Sequence, residues 1–155
     1  MLIDIQRRMI GHAAVILLIG MLAGVGLLVS LLGGLEVWPG AILPLQIPGP
    51  TDAWVRTHLG GMLNAFLIMI AALILPVVGF DLRGGQRLSW MLVGTGWANT
   101  LFYWAALLSP NRALTLGDNR FGPSNLAAVI GLAPALLFTV VSIIAVVLLA
   151  RQAFR

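Results

Sequence analysis

The sequence predicts an all-α integral membrane protein, a four-helix bundle, from its composition, the length of its apolar runs and the residues that separate them. Of 155 residues, 60% are hydrophobic and 9% charged, whereas a soluble domain carries about a quarter charged residues. So few charges cannot cover a water-facing surface. Four apolar runs stand out, His12 to Leu32, Leu59 to Phe80, Leu88 to Leu108 and Leu126 to Ala150, separated by segments rich in Pro, Gly, Asn and charge. Each holds about 20 residues or more, roughly 30 Å of helix, which matches the hydrocarbon thickness of a bilayer. The runs are apolar on all sides, as lipid-facing helices must be, and a helix satisfies its own backbone where no water is present. With no internal repeat and no low-complexity tail, residues 1–155 read as one four-span transmembrane domain.

The first run leads into Gly33-Gly34-Leu35-Glu36-Val37-Trp38-Pro39 with no small-residue cleavage site, which favours a retained span over a removed signal peptide. Gly20 and Gly24 in this run, and Gly94 and Ala98 in the third, have the small-xxx-small spacing that lets helix backbones approach closely. Pro76 and Pro134 fall inside the second and fourth runs, where each removes a backbone donor and bends its helix. Arg7, Arg8, Arg83, Arg87, Arg151 and Arg155 share one side of the spans, and Arg56, Arg112 and Arg120 the other. That imbalance places both termini in the cytoplasm. The two connections on the opposite side, from about Gly33 to Thr57 and from Ser109 to Asn125, are long for a small bundle, and long ordered loops cover or line something. Six prolines stiffen them.

Composition also excludes chemistry. Without cysteine there is no disulfide, thiolate metal site, iron–sulfur cluster or cysteine nucleophile. The nine basic residues, all arginine, lie between apolar runs rather than in one patch, a distribution unsuited to nucleic acid.

Polar side chains inside a membrane are costly and need partners, so the informative residues are His58, Asn64, Asn99 and Tyr103, the last being the only tyrosine. Asn99 and Tyr103 are four residues apart and project from one helical face, within reach of one small ligand. They serve equally well as a helix tie and an interfacial ring. His58 begins the second run, where an imidazole binds a metal or haem iron, caps a contact or meets water at the headgroups. Met62, one turn later, reads as lipid- or helix-facing. The other histidine, His12, starts the first run and so lies across the bilayer from His58, which argues against a bis-histidine iron within one chain and against structural zinc. A site at His58 is then five-coordinate, with the open position that chemistry requires. Asn64 follows His58 by six residues, about 120° around the helix and roughly 9 Å along it. One ligand is reached by both more naturally when His58 comes from one protomer and Asn64, Asn99 and Tyr103 from its neighbour.

Motifs along nearly the whole chain carry a family resemblance. Trp54-Val55-Arg56-Thr57-His58 with Leu63-Asn64, and Gly96-Trp97-Ala98-Asn99 with Phe102-Tyr103, are the most specific. Val37-Trp38-Pro39-Gly40, Ser109-Pro110-Asn111-Arg112, Leu114-Thr115 and Phe121-Gly122-Pro123 complete the pattern. In this order they resemble the styrene oxide isomerases, small four-span bacterial membrane proteins. Gly117-Asp118-Asn119 departs from the Gly-Pro-Asn expected there. The resemblance implies a homotrimer in the bacterial inner membrane with ferric haem b at subunit interfaces. His58 is then the axial ligand, Asn64 and Tyr103 face the substrate, and Asn99 is a positioning group.

The implied reaction converts an aryl epoxide such as styrene oxide to an aldehyde, by Lewis-acid opening at ferric haem and a 1,2-hydride shift. A hydrophobic epoxide and the lipid bilayer are the implied partners, with an epoxide-producing monooxygenase upstream. Two other readings suit a small polar-cored membrane protein: a haem-carrying electron-transfer subunit, and a cofactor-free scaffold subunit.

Overall fold

The computed structural model describes residues 1–155 as four helices and a hairpin: α1 (Leu2–Leu32), β1 (Gly34–Trp38), β2 (Ala41–Pro44), α2 (Thr51–Ile74), α3 (Leu82–Leu107) and α4 (Leu126–Ala153). The helices outrun the apolar stretches that signal them. α1 starts ten residues before His12, because Asp4, Arg7 and Arg8 continue a helix whose first turns lie outside the apolar stretch. α2 starts at Thr51 behind Pro50, whose extended backbone suits the position before a helix, so Asp52 and Arg56 lie in its first two turns. α3 and α4 are capped by side chains: Asp81 Oδ1 accepts from Gly84 N, and Asn125 Oδ1 from Ala128 N.

Two expectations need correction. Pro76 does not kink a span: α2 stops at Ile74 and a turn carries the chain through Pro76 to Gly79, because proline cannot continue the hydrogen-bond ladder. Pro134 does lie inside α4. The spans are also not equally lipid-facing. α1, α2 and α4 are long and apolar enough to cross a membrane, while α3 falls short in hydropathy. α3 is an inner helix, with ten of its 26 residues buried against five of 28 in α4, so its neighbours and not lipid face Thr95, Gly96 and Thr100. The hydroxyls of Thr95 and Thr100 donate back to Met91 O and Gly96 O at 2.7 Å, which satisfies them in place.

α2 packs between α1 and α3, and α4 closes on α3. The α1–α2 crossing is set by glycine: a Cβ on Gly61 would lie 2.9 Å from Gly20 Cα, so the two backbones touch where any side chain would hold them apart. The main core joins Met9, Ala13 and Ile16 to Ala65, Ile68 and Ala72, with Leu88 and Leu92 from α3. A smaller cluster at the other end places Trp54 edge-on to Trp104 at 5.8 Å, with Trp54 Nε1 donating to Pro48 O.

The first long connection contains the β1–β2 hairpin. Gly33 (φ 66°) ends α1 in the left-handed region and Gly40 (φ 81°) makes the tip, where Gly40 N donates to Glu36 Oε1. The second is folded around Asn111, fully buried, whose amide donates to Thr115 O and Gly117 O. Arg112 Nη1 donates to Asp52 Oδ2 at 2.7 Å and ties this loop to the start of α2.

Candidate functional site

His58 lies two turns inside α2 and is half-buried, not at a helix start as the apolar run suggested. Its imidazole lies on α1. Nδ1 is 2.8 Å from Gly20 O, and since a carbonyl only accepts, Nδ1 carries the proton and donates. Nε2 then holds the lone pair. It makes no hydrogen bond, and it is not a buried orphan, because the only such atom in the chain is on Arg56. Gly24 is the floor of the ring: a Cβ there would lie 2.8 Å from Cε1 and 2.9 Å from Nδ1 of His58. The Gly20-Gly24 pair thus divides its work, Gly20 for the helix crossing and the hydrogen bond, Gly24 for the imidazole.

Asn64, Asn99 and Tyr103 gather on the other seam of α2, against α3. Asn99 Nδ2 donates to Asn64 Oδ1 at 3.0 Å, and Asn64 Nδ2 donates to Gly60 O at 2.7 Å. The Tyr103 ring lies directly over Gly60, in the volume a Cβ would need. Thr57, buried beside them, donates to Ala53 O and lies 3.3 Å from Tyr103 O, tying the α3 backbone to α2. The Tyr103 hydroxyl has no protein partner, so it remains free to donate. Three of the four sequence-selected residues therefore come together, and His58 is separate from them within one chain, as the six-residue step predicts.

His12 belongs to neither group. Ten residues inside α1, it accepts from Trp97 Nε1 at 3.2 Å and meets that ring edge-on. It lines an open groove of about 750 Å³ over α3, together with Arg8, Trp90, Trp97 and Phe138. Nowhere do three His, Cys, Asp or Glu side chains converge, so His58 is the only such side chain at its position.

Sequence reasoning missed Gly60, took Gly24 only as a helix-packing glycine and counted Arg56 only as a charge. Gly60 carried a signal: it lies four residues before Asn64 and four after Arg56, on the face that Tyr103 covers. The roles of Gly24 and Arg56 depend on what a neighbouring helix puts beside them, which spacing along one helix does not encode.

A profile of the styrene oxide isomerase family matches residues 5–154. The chain belongs to the styrene oxide isomerase family. It is 39% identical to the styrene-oxide isomerase of Pseudomonas fluorescens over 155 residues, covering 100% of this chain and 92% of that relative. Membership makes the chain an enzyme, an isomerase of this type, and sets aside the electron-transfer and scaffold roles. The resemblance seen in the His58, Asn64 and Tyr103 motifs is thus a relationship of the whole chain. The isomerase's three membrane-competent helices fit a membrane protein.

Proposed function

We propose that this isomerase rearranges aryl epoxides of the styrene oxide type to aldehydes at a ferric haem b held by His58. The observation that carries this reading is the 2.8 Å contact of His58 Nδ1 with Gly20 O: in the neutral ring Nδ1 then donates and Nε2 keeps a free lone pair. A metal-ligating histidine characteristically has this arrangement, since the backbone hydrogen bond fixes the ring and raises its basicity. The donor set fits haem, because one imidazole with no other ligand side chain nearby suits an iron already held by four porphyrin nitrogens. When bound, ferric haem would supply the Lewis acidity that opens the benzylic C–O bond ahead of a 1,2-hydride shift.

The chain's own residues do the rest. The Tyr103 hydroxyl donates a hydrogen bond to the substrate oxygen, and its ring restricts the pose to one migration. Asn64 contributes the remaining N–H of its amide, with Asn99 holding that amide in orientation through the 3.0 Å bond. The apolar helix surfaces keep water from a cationic carbon, which would otherwise yield the diol.

Because His58 and the Asn64–Tyr103 group lie on different seams of α2, the site is completed between protomers of a homotrimer. All four helices span the inner membrane with both termini cytoplasmic, α3 being carried by the others. The bilayer concentrates the epoxide delivered by an upstream monooxygenase. Turnover of styrene oxide by the ferric protein, compared anaerobically with the fully reduced protein, tests the reading. Reduction is expected to lower the rate about tenfold or more, since added electron density weakens Lewis acidity. Equal rates contradict it.

A further inference from the structure

The chain holds one buried side-chain nitrogen without a partner, Nη2 of Arg56. A guanidinium keeps its charge, and a buried N–H on it without an acceptor is costly, which an anion at Nη2 would relieve best. None of the chain's own carboxylates serves. Asp52, one turn earlier on α2 and the natural partner, is taken by Arg112 at 2.7 Å. Asp4 pairs with the N-terminal ammonium, Glu36 accepts from Gly40 N, Asp81 from Gly84 N and Asp118 from Ser124 N. All five acidic residues are thus engaged elsewhere, and an anion at Arg56 Nη2 would come from outside the chain.

Position narrows the source. Arg56, Gly60 and Asn64 follow at four-residue steps, which keeps them within about 80° of one another on the face covered by Tyr103. Arg56 is one turn, roughly 6 Å, beyond Gly60. It is about 160° around the helix from His58 and so faces away from anything that its own imidazole holds. The epoxide and the aldehyde are both neutral. The anion that belongs at such a site is the propionate carboxylate of haem b.

We infer that Arg56 binds a propionate carboxylate of the haem held by His58 of a neighbouring protomer; this rests on the proposed haem site. Arg56 then fixes the depth and rotation of the porphyrin against Tyr103 and Asn64, which makes it a binding residue for the cofactor and not for the epoxide. It also gives the Asp52–Arg112 pair a second effect, since by occupying Asp52 it leaves Arg56 unneutralised.

Optical titration of the haem-free full-length protein with haem b and with its dimethyl ester tests this in wild type, Arg56→Gln and Arg56→Lys. Wild type is expected to bind the ester about tenfold or more weakly than the free acid, the worth of a charge-assisted pair. Arg56→Gln should bind both alike, and Arg56→Lys, which keeps the charge without the fork, should discriminate to an intermediate degree. In co-assembled mixtures of Arg56→Gln and His58→Ala chains, discrimination should reappear where the two intact residues meet across an interface. Its absence there overturns the cross-protomer pairing.

An equal loss on esterification in wild type and Arg56→Gln, with binding still dependent on His58, overturns the inference and leaves the haem site standing. Failure of wild type to bind either porphyrin, or equal binding by His58→Ala, overturns both. A lipid phosphate is the rival anion. If anionic phospholipid raises the melting temperature of wild type but not of Arg56→Gln, while ester discrimination is unchanged between them, Arg56 serves lipid and the inference fails.

Discussion

On the α1 side of α2 a single polar ring is positioned by backbone, with a carbonyl from Gly20 and a glycine floor at Gly24. On the α3 side one polar side chain holds another, Asn99 donating to Asn64, which in turn donates to the Gly60 carbonyl, with Tyr103 laid over the same glycine. The first arrangement leaves a lone pair free and the second leaves a hydroxyl free. In the proposed reading the lone pair serves iron and the hydroxyl serves the substrate oxygen, from different seams of one helix. The contrast teaches that the two groups face different neighbours within one chain, which is why the proposed site joins them across a protomer interface.

The two seams should fail differently when altered. His58→Ala is expected to lose haem and more than about 100-fold of activity together, by absorbance and epoxide turnover; a normal haem spectrum in that variant would remove the ligand assignment. Tyr103→Phe should keep its haem while turnover falls about 100-fold, the range for one preorganised donor. Should that variant lose haem instead, the two seams are not independent.

Gly24→Ala should weaken haem binding about 10-fold to 100-fold, since its Cβ displaces the ring and breaks the bond to Gly20. Its activity at saturating haem should recover, a separation that Tyr103→Phe cannot show. Asn99→Ala is expected to be mildest, costing about 1 kcal/mol of stability and a few-fold in rate, because Asn64 keeps its bond to Gly60 O. A loss as large as that of Tyr103→Phe would make Asn99 a contact of the substrate itself.

Much of this was legible in the sequence because helices announce themselves by length and hydropathy. The separation of His58 from Asn64 follows from 3.6 residues per turn alone. Helix starts were hidden where polar turns precede the apolar run, as before His12 and His58, so both histidines lie deeper than their runs imply. Pro76 was misplaced because apolar residues continue past the point where backbone hydrogen bonding stops. α3 looked like its neighbours, although its threonines and glycines mark a helix buried among others. The hairpin was signalled only by Gly33-Gly34 and Pro39-Gly40, since its strands carry no alternation: β2 is exposed along its whole length. The close approach at Gly24 was legible in its spacing from Gly20, but the imidazole above it and the unpaired Nη2 of Arg56 depend on what another helix does or does not place there.

The electron paramagnetic resonance spectrum of the purified ferric protein reaches the central claim most directly. One imidazole on iron with the opposite face vacant predicts a high-spin axial signal, lost in His58→Ala. A low-spin signal from two strong protein ligands, or a preparation free of iron that still isomerises styrene oxide, would contradict it.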